Sequence, residues 1–402
     1  MKDSLRICLV SEDYPGTQGG GGIGTYTHIL ARALARLGHR VHVVTRALES
    51  AGVEESSGFR IHRLPVTDAT FGGFRGFINQ RLFECRQILR WNQAVYQYVR
   101  EIDESEGLDV IECADYHAQG LFLGAFHRVP IVVRLHGSAT YTRYRTGAEF
   151  GWTRTDTWLS ERMERENASR AALVTSASRF MLQHSHTAWR VAPERTHLLP
   201  LPLDEDRFMT ADGTPRDEHT LLYVGRVSRQ KGLETLIEAL PLITREFPQM
   251  RVKFAGREEQ PGLISTLTER LRAAGLGPSA VEFSGPLDRE ALPQTYQASS
   301  VCVLPTPFSS GYTCLEAMAS GCAVVAGVSP RGHRMVTDGY DGVLVPEDRP
   351  EAFAAAIRRV FANPRLRQEL GQRAMITVKE RFSSALIGSA TVDLYHRAMM
   401  LR

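Results

Sequence analysis

Short runs of β-branched and aromatic residues alternate with longer stretches of helical period along the whole chain. The first half carries RICLV, VHVV, DVIE, IVVRL and LVTS, and the second carries LLYVG, VKFAG, VEFSG, VCVLP and AVVAG. Such runs, bounded by Gly and Pro and separated by helices, predict parallel strands covered on both faces. After LLYVG, residues Leu233, Leu236, Ile237, Leu240 and Ile243 recur on one face of a helix, which reads as a core-facing stripe. Between the halves lies THLLPLPLDEDRF, where Pro200 and Pro202 deny helix, and this stretch reads as the linker. The tail from Ala385 reads as a last helix. The expected fold class is α/β, with two doubly wound, Rossmann-like domains facing an interdomain cleft. In such sheets ligands bind outside the carboxyl ends of the strands.

Composition changes this picture little. A length of 402 residues suits two domains of about 200 each. With 43% apolar and 23% charged residues, the chain has the make-up of a globular protein, and no apolar run approaches the roughly 20 residues of a membrane helix. RICLV is too short for a signal-peptide core and is followed at once by Ser11, Glu12 and Asp13, so a cytoplasmic location is expected. The six cysteines form no C-x-x-C pair, which suggests neither a disulfide framework nor a zinc site. A net charge of +3 is too small to indicate nucleic-acid binding.

Chemistry is suggested at several strand exits. Gly19 to Gly22 precede a helix whose apolar face carries Ile29, Leu30, Ala33, Leu34 and Leu37. Glycines let backbone N–H groups approach a phosphate, and a helix start supplies positive potential. Gly19, Gly21 and Gly24 formally match G-x-G-x-x-G, but eight residues separate Val10 from Gly19 and no acid follows the second strand, so the dinucleotide fingerprint is not met. Thr25 stands where a phosphate-binding loop would place Lys. In the second half, Arg226 just past a strand and Lys231 at the mouth of the next helix suit a diphosphate.

Taken together, Gly21 and Gly22, GHRVHVVT, GRVSRQKG and GYTCLEAMASGCAVV resemble the retaining GT-B glycosyltransferases of family 4, in the family's order and across nearly the whole chain. The resemblance implies an acceptor-binding domain over residues 1–201, joined by the C-terminal helix 385–402, and a donor domain over 202–384. It implies a nucleoside-diphosphate sugar as co-substrate, UDP or GDP, with no other cofactor. Glu316 matches the second acid of the E-x7-E motif and so would receive the donor ribose hydroxyls, beside Gly311, Tyr312 and Thr313 at the helix start. Arg226 and Lys231 match the cationic pair that neutralises the departing diphosphate, so no divalent metal is expected. His136, in IVVRLHGSATYT, matches the histidine that contacts the transferred sugar.

The pattern departs from the family in two places. Phe308 stands where the first acid belongs, which leaves the donor sugar open, and His333 and Arg334 replace the usual Pro-Glu of SPRGHRMVTDG. Phe308 favours, as the alternative reading, a non-catalytic sugar-nucleotide-binding protein of the same fold; glycine spacing disfavours a nicotinamide-dependent oxidoreductase. Segment 138–170 carries Tyr141, Tyr144, Trp152, Trp158 and several arginines. That composition suits small-molecule, lipid-linked and oligosaccharide acceptors alike, and is compatible with peripheral membrane contact.

Overall fold

The computed structural model describes residues 4–15, 21–47, 50–66, 82–138, 154–209, 216–306, 311–328 and 335–401. The chain divides into two compact units, one of Met1–Pro202 with Ser384–Arg402 and one of Leu203–Ser383. Strands β1 (Arg6–Val10), β2 (Arg40–Arg46), β5 (Val110–Ala114), β6 (Ile131–Leu135) and β7 (Leu173–Ser176) of the first unit grow from the apolar runs. Three more join them: β3 (Gly52–Ser56), β4 (Phe59–Leu64) and β8 (Thr196–Leu198). The sheet order is β3-β4-β2-β1-β5-β6-β7-β8. Every neighbour pair is parallel except the β3–β4 hairpin, which turns through Ser57 and Gly58 at positive φ. That hairpin eluded the sequence reading because β3 is an exposed edge strand, with no buried face to impose a pattern.

The second unit builds a six-stranded, all-parallel sheet from β9 (Asp217–Val224), β10 (Arg251–Ala255), β11 (Val281–Gly285), β12 (Ser299–Leu304), β13 (Ala323–Val328) and β14 (Val343–Pro346), in the order β11-β10-β9-β12-β13-β14. Strands β12 and β13 are interior strands of this sheet and are buried throughout apart from Val328, as doubly covered strands must be. Its core joins Leu221, Val252, Val301 and Val325 of the sheet to Leu233, Leu236, Ile237, Leu240 and Ile243 of the helix Leu233–Thr244.

The expected linker is shorter than THLLPLPLDEDRF. Thr196–Leu198 pairs with β7, and Glu205–Phe208 forms one helical turn. The chain changes unit at Pro202, and Leu203 bridges Ser383 inside the second unit. The last helix, Ser384–Met400, packs on the first unit, where Gly388 faces Ala33 and the buried Tyr395 donates to Glu112 at 3.0 Å.

Candidate active site

In each unit the strand order reverses at one place, between β1 and β5 in the first and between β9 and β12 in the second. At such a point neighbouring loops leave in opposite directions and open a crevice at the carboxyl ends of the strands. The sequence-predicted residues that the structure describes lie at or beside these two places.

In the second unit Arg226 follows β9, and Lys231 ends the 3-10 turn Arg229–Lys231. The loop is tied to the exit of β10: the Val227 amide donates to the Arg257 carbonyl at 2.9 Å, and the Glu259 amide donates to the Val227 carbonyl at 3.1 Å. The exposed Arg226 guanidinium pairs with Glu259 at 2.6 Å, while the buried Tyr223 hydroxyl donates to the Arg226 carbonyl at 2.7 Å. Glu259 thus orients this cation and is a partner that the sequence analysis did not foresee. Gly232, at φ 70°, follows Lys231, and a β-carbon there would overlap the Pro305 carbonyl oxygen. The Lys231 turn is thereby pressed onto the exit of β12.

Past β12, Gly311 caps the helix Tyr312–Ala319, and its carbonyl accepts from the Cys314 amide at 3.0 Å. Tyr312 is buried, and Thr313 and Glu316 are half-buried. The Glu316 carboxylate accepts from the Tyr296 hydroxyl at 3.0 Å. Burial pushes the Glu316 carboxyl up; the Tyr296 hydroxyl and the positive potential of Arg289 and Arg207 act the other way. Phe308, His333 and Arg334 lie outside the described residues.

In the first unit Gly21 caps the helix Gly22–Arg36, and its amide donates to the Asp13 carboxylate at 2.8 Å. A β-carbon at Gly24 would stand 2.8 Å from the Tyr14 Cα, so this glycine lets the helix rest on the loop after β1, whereas Gly22 is exposed with open space around it. Gly19, Gly20, Tyr141, Tyr144 and Trp152 lie outside the described residues.

His136 leaves β6 directly. Its amide and that of Gly137 donate to the two carboxylate oxygens of the fully buried Asp115, at 2.9 and 3.3 Å. Burial, opposed by those amide hydrogen bonds, pushes the Asp115 carboxyl up to about 6. The His136 ring meets Tyr26 edge to face, with centroids 4.8 Å apart. Burial first, and then the positive charge of Arg134, drives its imidazole well below the ordinary histidine range, so it is neutral near pH 7. Beneath it the buried Glu112 accepts from Tyr26 at 2.8 Å and from Tyr395, and Arg134 lies over the Tyr26 ring.

The structure adds a cluster that the sequence analysis missed. Glu12, just past β1, contacts the His117 imidazole at 3.0 Å and the Arg46 guanidinium at 2.8 Å. Burial alone would raise the Glu12 carboxyl, but the His117 hydrogen bond and the charges of His117 and Arg46 outweigh it and hold it below its usual value. His117 and the neighbouring Ala118 take positive φ, 60° and 46°, a conformation that non-glycine residues hold only where the surroundings enforce it. The only trace in the sequence was polar residues flanking apolar runs, a weak signal. Among the described residues, no group of three or more His, Cys, Asp or Glu is placed to hold a metal ion.

The two units match two family descriptions: residues 21–202 match the glycosyl transferase 4-like domain, and residues 218–363 match glycosyl transferases group 1. A D-inositol 3-phosphate glycosyltransferase of Geodermatophilus obscurus is 29% identical over 90% of this chain and 82% of its own length. A phosphatidyl-myo-inositol mannosyltransferase of Mycobacterium tuberculosis is 26% identical over 97% of this chain and 95% of its own. The fold superposes on the sucrose-phosphate synthase of Thermosynechococcus elongatus with a TM-score of 0.79, at 24% identity, over 99% of this chain and all of that one. The two sheets with their switch points, and the sequence matches over both units, establish that this chain belongs to the group 1, or family 4, glycosyltransferases of GT-B fold.

Proposed function

We propose that the protein transfers a hexose, with retention of anomeric configuration and without a metal ion, from a UDP- or GDP-sugar to a hydroxyl acceptor. One observation carries the donor side of this reading. Arg226 and Lys231 at the exit of β9, and the Glu316 helix after β12, stand at the ends of adjacent strands on the switch point of the second unit. Cations fixed by the fold offset charge developing on a departing diphosphate without reorganising, which is the task a divalent metal performs elsewhere. A carboxylate can accept both hydroxyls of a vicinal diol, which suits Glu316 to a ribose. His136, neutral at working pH, would hydrogen-bond the transferred sugar as an uncharged group and would not form a covalent bond to it.

On this reading the first unit binds the acceptor, and its switch-point residues Glu12 and His117 are the groups offered to acceptor hydroxyls. The names of the two inositol-using relatives make phosphorylated or lipid-linked cyclitols the first acceptors to try. No described helix is long and apolar enough to cross a membrane, so a lipid-linked acceptor would be met at a surface. The test is turnover of UDP-, GDP-, ADP- and TDP-hexoses with and without EDTA, with NMR of the product. An α-linked product from an α-linked donor and full activity in EDTA are expected. An inverted anomer would overturn the retaining assignment, and activity restored only by added Mg²⁺ or Mn²⁺ would overturn the fixed-cation account.

A further inference from the structure

Glu316 is held from behind by an aromatic residue that no motif singled out. Tyr296, in the helical turn Leu292–Gln297, is fully buried. Its ring packs edge to face against Phe208, with centroids 6.2 Å apart, and its backbone carbonyl accepts from the Cys322 thiol at 3.1 Å. So fixed, the hydroxyl reaches one oxygen of Glu316 at 3.0 Å. A buried phenol without a partner would be costly, and this one spends its proton on a carboxylate at the candidate donor site.

We propose that Tyr296 is a positioning residue: its hydroxyl locks the Glu316 carboxylate in one rotamer and in its ionised state, so that a nucleotide ribose meets a ready acceptor. This rests on the reading of Glu316 as the ribose ligand. The other titratable groups near the pair are Arg289 and Arg207, which favour the ionised carboxylate, and the buried thiols of Cys302 and Cys322, which burial keeps neutral. Burial also keeps the phenol protonated, so it serves only as a donor to an ionised Glu316. Removing that donor frees the carboxylate to rotate and lets burial raise its affinity for a proton, which a hydrogen bond to the charged form had opposed.

The experiment is calorimetric binding of UDP, GDP and inorganic pyrophosphate to the full chain between about pH 5 and 8.5, for wild type, Tyr296→Phe and Glu316→Gln, using whichever nucleotide binds wild type. Pyrophosphate shares the phosphate titration but has no ribose, so it isolates the effect. Tyr296→Phe is expected to weaken nucleotide binding about 5- to 10-fold near neutral pH, the scale of one ordinary hydrogen bond, because the lost bond acts on the nucleotide only through Glu316. It is also expected to move the acid-side loss of affinity to higher pH and to leave pyrophosphate affinity unchanged. A pH midpoint equal to that of wild type, or an equal loss of pyrophosphate affinity, would overturn the positioning role. If Glu316→Gln binds nucleotide as tightly as wild type, the ribose reading itself fails. If Glu316→Gln weakens nucleotide binding while Tyr296→Phe matches wild type at every pH, the positioning inference alone fails.

Discussion

At the scale of single residues, the candidate site works through partners that hold each side chain. Lys231 and Arg226 are assigned to the leaving diphosphate, so Lys231→Ala should lower kcat by roughly 100-fold or more, the typical loss of one transition-state donor. Steady-state turnover of a variant shown to be folded by circular dichroism checks this. Asp115 supports His136 through two backbone amides, which an ionised carboxylate accepts best. Its carboxyl titrates near 6, so wild-type kcat should fall as pH drops through about 6. Asp115→Asn has a single acceptor oxygen and should be slower throughout, with no limb at that pH; a kcat–pH profile shows both effects. The stability sign is opposite to that of an ion-paired acid. The folded pKa is raised above the unfolded value of about 4, so the group's contribution to the fold is present below about 4 and is lost as pH rises through about 6. His117→Ala should raise acceptor KM about tenfold, the scale of a lost hydrogen bond to a charged pair, while leaving nucleotide affinity unchanged. Initial rates at varied acceptor concentration, with calorimetry of the nucleotide, separate the two.

The elements place these residues through turns that leave little choice of side chain. The Lys231 turn can lie against β12 because Gly232 adopts φ 70° and presents no β-carbon to Pro305. Gly232→Ala should therefore cost about 1–2 kcal/mol from the left-handed backbone alone, with more from the overlap. Denaturant unfolding should show a lower midpoint, and donor affinity should fall with it. The RVSRQKG run announced such a turn in the sequence, because glycine near a strand exit is a direct signal. Which neighbouring strand each turn leans on was hidden, since β9 and β12 meet across more than 70 residues. The same separation concealed Tyr296, which reads in sequence as an ordinary apolar residue of a short helix.

For the whole molecule, the segment Ser384–Met400 belongs by its contacts to the first unit although it follows the second in sequence. Tyr395 from this helix and Tyr26 satisfy the two oxygens of the buried Glu112. Tyr395→Phe should cost about 1–3 kcal/mol, as one buried acceptor loses its donor. The loss should appear in the melting of the first unit, with the second unit's transition unmoved. Scanning calorimetry resolves this if the two units melt separately, and a destabilised second unit would contradict the assignment.

What the sequence determined by itself was the α/β class, the ten apolar strand runs and the GT-B resemblance. Burial on both faces of a parallel sheet writes itself as uninterrupted apolar runs, and strand exits write themselves as glycine and proline. The sequence also put Arg226, Lys231 and His136 at strand or helix boundaries, which is where the structure has them, whereas Glu316 sits inside the helix Tyr312–Ala319 rather than at its start. Only the tertiary structure decided who meets whom. The Glu259 clamp on Arg226, the Asp115 cradle under His136, the Glu12–His117–Arg46 cluster and the Tyr296–Glu316 pair join residues 20 to 105 positions apart. Hydrogen bonds and ion pairs of this kind depend on ångström-scale distance and angle, and local periodicity carries no record of them.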